Sequence, residues 1–277
     1  MEDKKADNVL EEQKRIEHTI SQIEHRIAVF SGKGGVGKST VAVNLAYMLQ
    51  KEEKSVGILD ADITGPNVLK MLDIREEAVV LDEKIIPFEK YGAKVISVAS
   101  MIKAGQPVIW RGPMRSKMIQ QFLADVEWGK LDYLIADLPP GTGDEILTVT
   151  QRMKPDYAVI VTTPQEVSVI DAERALNMAK KMEVPFIGVI ENMAGFVCPH
   201  CSKVINIFGE GGGKKLAADC GVPFLGSIPL NLHARIYGDH GMPIVLKDED
   251  SEILEVFKSI ASNIEFHYQE SLADLAE

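Results

Sequence analysis

The chain has 277 residues, of which 45% are apolar and 26% charged, and its 30 basic and 41 acidic side chains give a net charge of −11. This composition is typical of a globular domain, no run approaches the ~18 consecutive apolar residues of a membrane helix, and the N-terminus lacks the apolar centre of a secretory signal. Because the acidic balance disfavours nucleic-acid phosphates and three cysteines are too few for a disulfide framework, we expect a cytoplasmic protein without membrane or nucleic-acid partners.

The N-terminal segment, residues 1–25, is polar and rich in Glu, Lys and Gln. Within it, Ile16, Ile20 and Ile23 recur at spacings of four and three residues. This spacing predicts a short amphipathic helix that docks on the main domain or trails from it, and a solvated leader is the alternative. Residues 26–277 are predicted to form a single domain.

From Arg26 onward, short apolar runs alternate with longer stretches of helical periodicity. Several runs consist almost entirely of Val, Ile, Leu and Ala, as expected of strands that are buried on both faces. The alternation predicts an α/β fold with a doubly wound, mostly parallel sheet flanked by helices. We also expect residues 84–86 and 95–98 to pair as a small antiparallel excursion. The predicted strands are Ile27–Phe30, Val56–Leu59, Val95–Ala99, Tyr133–Ala136, Tyr157–Val161, Phe186–Ile190 and Phe224–Ile228, and the predicted helices are Lys38–Gln50, Met114–Val126, Asp144–Gln151, Gln165–Met182 and Gly211–Cys220.

A glycine-rich loop follows the first predicted strand and fits the phosphate-loop pattern G-x-x-x-x-G-K-[ST] in its required context of strand, loop and helix. Its glycines let backbone N–H groups face phosphate oxygens, and the following helix adds the positive end of its dipole. Lys38 is expected to contact the β- and γ-phosphates, and the Ser39 hydroxyl to ligate Mg²⁺. A turn that merely caps a helix is the alternative. The predicted nucleotide-binding residues of the loop are Gly32, Lys33, Gly34, Gly35, Val36, Gly37, Lys38, Ser39 and Thr40.

Two acidic clusters follow predicted strands, at the edge where α/β folds place their ligand sites. The first contains Asp60 and Asp62, and the second begins with Asp137. An aspartate that ends an apolar strand can hold Mg²⁺, so Asp137 is the predicted magnesium ligand and Asp60 is expected to support the metal. Asp62 is the candidate that positions the attacking water. The alternative for each carboxylate is a turn or helix-cap residue.

The residues that would face the base favour ATP over GTP. The late strand ends in Ile190-Glu191-Asn192-Met193 and lacks the Asn-Lys-x-Asp motif of guanine-specific proteins. Asn192 can offer its amide to adenine, and Pro229, which follows the last predicted strand, can pack against the ring.

A cysteine pair, Cys198 and Cys201, lies in a loop after that late strand. Thiolates at this spacing can both face one metal, but zinc or an iron–sulfur cluster usually takes four ligands. The pair therefore indicates a half-site that a partner chain completes, with four cysteines across a two-fold axis. Structural zinc, with His200 as an extra ligand, is the alternative, whereas a thioredoxin-like redox pair fits this fold poorly. Cys220, late in a predicted helix, is expected to pack in the core.

The chain resembles the Mrp/ApbC family in the motifs KGGVGKST, LDADITGPN and DLPPGTGD and in the segments ENMAGFVCPHC, IFGEGGGKKLA and GVPFLGSIPL. The resemblance covers residues 26–243 and implies a P-loop ATPase of the deviant Walker A class. Related cell-division and plasmid-partition ATPases of the MinD and ParA type share the first motifs but lack the CPHC loop.

The resemblance also implies roles for particular residues. Members of the family are regarded as iron–sulfur cluster carriers or scaffolds. The early lysine of the loop, here Lys33, is expected to reach the nucleotide of the partner subunit in a face-to-face dimer. The family's catalytic, magnesium and cluster-binding roles correspond to Lys33, Lys38, Asp60, Asp62, Asp137, Cys198 and Cys201.

The leading hypothesis is a slow ATPase that uses ATP and Mg²⁺ and carries a [4Fe–4S] cluster. The homodimer would hold the cluster on the cysteine pair of each subunit and release it to apo-proteins. One alternative keeps the ATPase but makes the cysteines a structural zinc clasp of the dimer, since thiolates bind either metal. The other is a positioning ATPase on membranes or DNA, which ranks lower because residues 247–277 are acidic.

Overall fold

The computed structural model describes residues 2–101, 112–247 and 252–276. The strands are β1 (Ile23–Phe30), β2 (Val56–Asp60), β3 (Val79–Leu81), β4 (Lys84–Ile86), β5 (Phe88–Lys90), β6 (Ala93–Ser97), β7 (Leu131–Asp137), β8 (Tyr157–Thr162), β9 (Phe186–Asn192), β10 (Phe196–Val197), β11 (Val204–Ile205) and β12 (Phe224–Ile228). The α-helices are α1 (Glu2–Ser21), α2 (Lys38–Lys51), α3 (Val68–Met71), α4 (Gly112–Asp125), α5 (Asp144–Met153), α6 (Glu166–Lys181), α7 (Gly212–Cys220), α8 (Leu232–Asp239) and α9 (Glu252–Ala276).

The central sheet confirms the predicted α/β architecture. Its strand order is β12-β9-β8-β1-β7-β2-β6-β5. Each neighbouring pair is parallel except β5 with β6, which is antiparallel. In chain order, β2 and β6 lie on one side of β1, and β7 then lies between β1 and β2. The later strands β8, β9 and β12 lie on the other side of β1. The sheet is therefore doubly wound, and the carboxyl ends of its central strands meet at one edge, where such folds bind ligands.

Helices cover both faces of the sheet, and the side chains of β1 pack against the helices on both faces. Successive side chains of a strand point to opposite faces, so Ile27 and Val29 pack in the core cluster that contains α2 and α9. Ala28 and Phe30 pack in the second cluster, which contains α4, α5, α6 and α7. Burial on both faces explains why the strand is apolar at consecutive positions. Among the described helices, none is long and apolar enough to cross a membrane.

Helix α1 packs against the domain. Ile16 is buried, and Arg15 Nε lies 3.0 Å from Asp125 Oδ1 on α4. The first strand begins at Ile23, so it starts before the predicted domain boundary at Arg26 and includes the last residues assigned to the leader. The strand begins there because β1 extends along β7, where Ile23 is opposite Leu131.

The predicted antiparallel pairing of residues 84–86 with 95–98 is wrong. Instead, β4 pairs with β3, and β6 pairs with β5 and β2. The β3–β4 and β5–β6 pairs are hairpins with two-residue turns, and both turn residues have positive φ: Asp82 and Glu83 in the first, Tyr91 and Gly92 in the second. Two positive φ values match the right-handed twist of flanking strands, so each turn pairs the strands next to it in the chain. Of the predicted acidic tail, residues 248–251 and 277 lie outside the described residues.

Candidate nucleotide and metal-binding sites

A cavity of about 780 Å³ lies at the carboxyl ends of the central strands. Its wall combines the glycine-rich loop after β1, the loop after β2 and the ends of β9 and β12, which are far apart in the chain. Of the predicted nucleotide-binding and catalytic residues, the wall contains Lys33, Gly34, Gly35, Val36, Gly37, Lys38, Ser39, Thr40, Asp62, Asn192 and Pro229.

The amino-terminal end of α2 faces this cavity. Gly37 precedes the helix with φ of 82° and provides no side-chain cap, so the first backbone N–H groups of α2 have no capping side chain. A Cβ at Gly37 would overlap the side-chain amide of Asn192, so both the conformation and the close approach require glycine. Unsatisfied N–H groups and the helix dipole make this end of α2 suited to bind phosphate.

Gly32 lies against α6. It is not part of the cavity wall, and a Cβ at this position would overlap the backbone of Asp171 and Ala172 on α6. The glycine therefore allows α6 to approach the loop after β1, and its contact with the nucleotide stays a prediction.

Lys38 makes buried ion pairs with two of the predicted carboxylates. Its Nζ atom lies 2.5 Å from Asp137 Oδ1 and 3.9 Å from Asp62 Oδ2. Burial raises the pKa of Asp137, and the Lys38 ammonium opposes that shift. Asp137 Oδ2 is buried as well, and it has no hydrogen-bond partner among the residues that the structure describes. One carboxylate oxygen thus remains for a further cation.

Asp60 is fully buried and does not line the cavity. Its Oδ1 atom accepts a hydrogen bond from the Asp62 N–H, and its Oδ2 atom accepts from the Ser97 hydroxyl and the Val68 N–H. Burial and the neighbouring Asp137 raise the pKa of Asp60 to about 7. Asp60 therefore orders the loop after β2, which carries Asp62, and its support of the metal stays a prediction.

Asn192, the last residue of β9, holds the phosphate loop. Its Nδ2 atom donates to the carbonyl oxygen of Val36 at 2.8 Å, and its side chain is almost fully buried. One N–H of the amide that was expected to face adenine is therefore engaged with the loop. Pro229 lies in the same cavity wall, so the residues predicted to contact the base do come together.

The cysteine pair lies on a separate hairpin formed by β10 and β11, outside the cavity. The Cys198 N–H donates to the Lys203 carbonyl at 2.9 Å, which closes the turn between the two strands. The backbone N–H groups of His200 and Cys201, together with the Cys201 side chain, lower the pKa of the Cys198 thiol. A lower pKa favours the thiolate, which is the form that binds metal.

The three cysteines differ in exposure. Cys201 is exposed, and Cys198 and Cys220 are both partly exposed, but Cys220, the last residue of α7, packs against the core cluster. Burial raises the pKa of the Cys220 thiol. In the part of the chain that the structure describes, no group of three or more His, Cys, Asp or Glu side chains could hold a metal ion. The hairpin therefore offers two sulfur ligands from this chain.

Parts of the cavity wall contain residues that no motif identifies. Ile253 and Phe257 come from α9, and Lys70 and Arg235 come from α3 and α8. The sequence does contain a signal for the start of α8, because Asn231 is a typical helix-capping residue. Its side chain accepts hydrogen bonds from two backbone N–H groups of the first turn. The contribution of α9 depends on how the C-terminal helix packs and has no local signal.

The chain is similar to known proteins over most of its length. The family described as "ParA: NUBPL iron-transfer P-loop NTPase" matches residues 22–265. A Pyrococcus horikoshii protein named iron-sulfur cluster carrier protein is 52% identical over 91% of this chain and 89% of its own length. The Dictyostelium discoideum iron-sulfur cluster transfer protein NUBPL is 44% identical over 88% of this chain and 77% of its own length.

Solved structures show the same fold. A nucleotide-binding protein from Archaeoglobus fulgidus in complex with ADP has a TM-score of 0.76 and 39% identity, over 88% of this chain and 96% of that one. The cell division ATPase MinD of Pyrococcus furiosus has a TM-score of 0.64 at 21% identity, over 87% of this chain and 98% of that one, and shares the fold. The chain thus belongs to the NUBPL-type iron-transfer P-loop NTPases of the ParA group, and the resemblance drawn from its motifs is confirmed.

Proposed function

We propose that this protein is an ATP-dependent iron–sulfur cluster carrier. The observation that carries the proposal is a thiol pair on an exposed hairpin, with the pKa of the Cys198 thiol lowered by backbone N–H groups. The names of the Pyrococcus and Dictyostelium relatives support the same assignment. The cluster is cargo that the protein binds and passes to apo-proteins.

The nucleotide in the cavity is proposed to be ATP, which the protein hydrolyses slowly. The amino-terminal N–H groups of α2 and the Lys38 ammonium would contact the β- and γ-phosphates. Asn192 and Pro229, which line the cavity, would border the adenine ring. The ADP complex of the Archaeoglobus relative supports an adenine nucleotide.

Magnesium fits the residues that are present. Asp137 Oδ2 is a buried oxygen without a partner among the described residues, and the Ser39 hydroxyl lines the cavity. Hard cations prefer such oxygen ligands, so Asp137 and Ser39 would hold the ion. When bound, Mg²⁺ neutralises charge on the β- and γ-phosphate oxygens. Asp62 would orient the attacking water, and Asp60 would hold the loop that carries Asp62.

A second copy of the chain would complete the cluster site. Two sulfurs are half of the four ligands that a [4Fe–4S] cluster takes. Apolar side chains near the cysteines are exposed, with Val204 at 65% and Ile207 at 55%, and such patches mark interaction surfaces. In the same dimer Lys33, which lines the cavity, would reach the nucleotide of the partner subunit.

Anaerobic reconstitution with iron and sulfide tests the proposal. The wild-type protein should bind about four iron atoms per dimer and transfer them to an apo-acceptor. Cys198→Ser and Cys201→Ser should each eliminate the cluster, because a hard alkoxide is a poor substitute for a soft thiolate. Cys220→Ser is the matched control and should retain the cluster. ATP hydrolysis should persist in all three variants because the phosphate loop is unchanged.

Two results would contradict the proposal. A wild-type protein that holds only zinc and transfers nothing to an acceptor would make the cysteines a structural clasp of the dimer. Loss of the cluster in Cys220→Ser, with retention in Cys198→Ser, would show that the ligands are assigned incorrectly.

A further inference from the structure

The end of β9 contacts both the phosphate loop and the segment that carries the cysteines. Its last two residues are Glu191 and Asn192, and consecutive residues of a strand point to opposite faces of the sheet. Asn192 donates to the Val36 carbonyl oxygen in the phosphate loop at 2.8 Å. Glu191 points to the other face, toward the start of α7. The two side chains therefore join the nucleotide cavity to a second region through one rigid strand.

Glu191 holds the start of α7 through both of its carboxylate oxygens. Oε1 accepts from the Gly211 N–H at 3.2 Å, and Oε2 accepts from the Gly213 N–H at 2.6 Å. The side chain is almost fully buried, at 2% exposure. A buried carboxylate is costly unless its oxygens are satisfied, and here two N–H donors and the positive end of the α7 dipole stabilise it.

The contacts of Glu191 connect the two ends of the segment that carries the cysteines. Residues 193–211, which we name the cysteine excursion, leave the sheet after Asn192, carry Cys198 and Cys201 and return at the start of α7. Glu191 lies two residues before the excursion, and it accepts hydrogen bonds from Gly211 at the end of the excursion and from Gly213 just beyond it, so its side chain closes the excursion into a loop. The carboxylate therefore holds Gly211, the last residue of the excursion.

The start of the excursion is hydrogen-bonded to residues in the wall of the nucleotide cavity. The Ala194 N–H donates to the Ile228 carbonyl at 2.9 Å, and the Leu230 N–H donates to the Gly195 carbonyl at 2.8 Å. Ile228 and Leu230 both line the cavity, as does Met193. A displacement of the cavity wall would thus move the start of the excursion, whereas Glu191 fixes its end.

We propose that Glu191 is a positioning residue that makes the geometry of the two cysteines depend on the bound nucleotide; this inference rests on the proposed function, in which ATP occupies the cavity. With its end fixed by Glu191, the excursion cannot follow the cavity wall as a whole, so movement at its start changes the turn at Cys198 and Cys201. Without the carboxylate, the start and the end move independently and the turn no longer responds.

The test measures the alkylation of each cysteine by N-ethylmaleimide in metal-free protein, with and without Mg²⁺ and a non-hydrolysable ATP analogue. In the wild-type protein the analogue should change the alkylation rate of Cys201 by at least about five-fold, the lower range of ordinary allosteric coupling. Glu191→Gln keeps the size of the side chain but removes the charge and one acceptor. In this variant the analogue should change the alkylation rate of Cys201 by less than about two-fold. The affinity of the variant for the analogue should stay within about two-fold of the wild-type value.

Two further variants keep the test decisive. Glu210→Gln is the matched control, because Glu210 lies in the same excursion but bonds to Asn206 within it, and this variant should respond like the wild type. Gly213→Ala serves if Glu191→Gln does not fold. A Cβ at Gly213 would lie 2.9 Å from the Glu191 Cβ, so it displaces the start of α7 from the carboxylate and should also abolish the response.

The possible outcomes separate this inference from the proposed function. The inference is overturned if the change in the Cys201 alkylation rate persists at the wild-type size in Glu191→Gln or Gly213→Ala. It is also overturned if the analogue does not change the alkylation rate of the wild-type protein. Neither result depends on a cluster, because the protein is metal-free. Conversely, failure of iron–sulfur reconstitution alongside a nucleotide response that Glu191→Gln abolishes would contradict the carrier function and leave Glu191 as the positioning residue.

Discussion

Replacement of Lys38 by alanine tests the buried ion pair beneath the nucleotide cavity. The change removes an ammonium that lies 2.5 Å from Asp137 Oδ1, and Asp137 is fully buried. An uncompensated carboxylate then remains in the interior of the protein. Breaking a buried pair by removing one partner commonly costs about 3–5 kcal/mol.

The separation between Lys38 Nζ and Asp137 Oδ1 allows an estimate of the loss of stability. At an effective dielectric constant of about 20, two charges 2.5 Å apart attract by about 7 kcal/mol, and the desolvation of both groups offsets part of this. Because burial raises the pKa of Asp137, proton uptake by the stranded carboxyl group limits the loss. We expect Lys38→Ala to lower the free energy of unfolding by about 3 kcal/mol. At about 2–4 °C per kcal/mol for a chain of this size, the unfolding midpoint should fall by about 6–12 °C.

Urea and thermal unfolding of the nucleotide-free protein measure this effect. Lys33→Ala is the matched control, because Lys33 lies in the same loop and has no ion pair among the described residues, and its unfolding free energy should stay within about 0.5 kcal/mol of the wild type. Adding Asp137→Asn to Lys38→Ala should restore part of the stability, because it removes the stranded charge. Hydrolysis of ATP should be lost in both Lys38 variants.

Two results would refute the reasoning. If Lys38→Ala unfolds with the wild-type free energy, or if adding Asp137→Asn destabilises the variant further, the pair does not carry the charge balance of the site. If Lys38→Ala hydrolyses ATP at the wild-type rate, Lys38 does not contact the transferred phosphate.

Three further predictions concern other parts of the molecule. In metal-free protein, the pKa of Cys198 is lowered and that of Cys220 is raised, so maleimide labelling of Cys198 should reach its half-maximal rate at a lower pH, as measured by peptide mass spectrometry between about pH 6 and 10. Arg26→Ala removes a two-point contact with Asp156, whose closest atoms are 2.6 Å apart, and should lower the urea-unfolding free energy by about 2–4 kcal/mol. Lys33→Ala should impair ATP-dependent dimerisation in sedimentation experiments more than it impairs nucleotide affinity; a variant that loses affinity but dimerises normally would contradict the role across the interface.

Local sequence signals were sufficient for the phosphate loop and for most of the strands. The loop depends on residues that are adjacent in the chain, and α2, predicted over residues 38–50, is found at Lys38–Lys51. The strand predicted at Tyr157–Val161 is buried throughout, as its unbroken apolar run requires. The pairing of β4 was predicted incorrectly because it depends on the turn at Asp82 and Glu83, where two acidic residues adopt positive φ without glycine.

The tertiary structure alone decided which side chains support the site. Asn192 bonds to a carbonyl 156 residues away, Asp60 orders the loop after β2 instead of facing the cavity, and Phe257 closes the cavity wall from the C-terminal helix. The bond between Asn192 and the Val36 carbonyl depends on the order of the strands in the sheet, as does the hydrogen bond from Ser97 on β6 to Asp60 on β2. Many orders are compatible with one alternation of strands and helices, and so the sequence determined the chemistry available at the strand ends, while the strand order determined which of those residues meet.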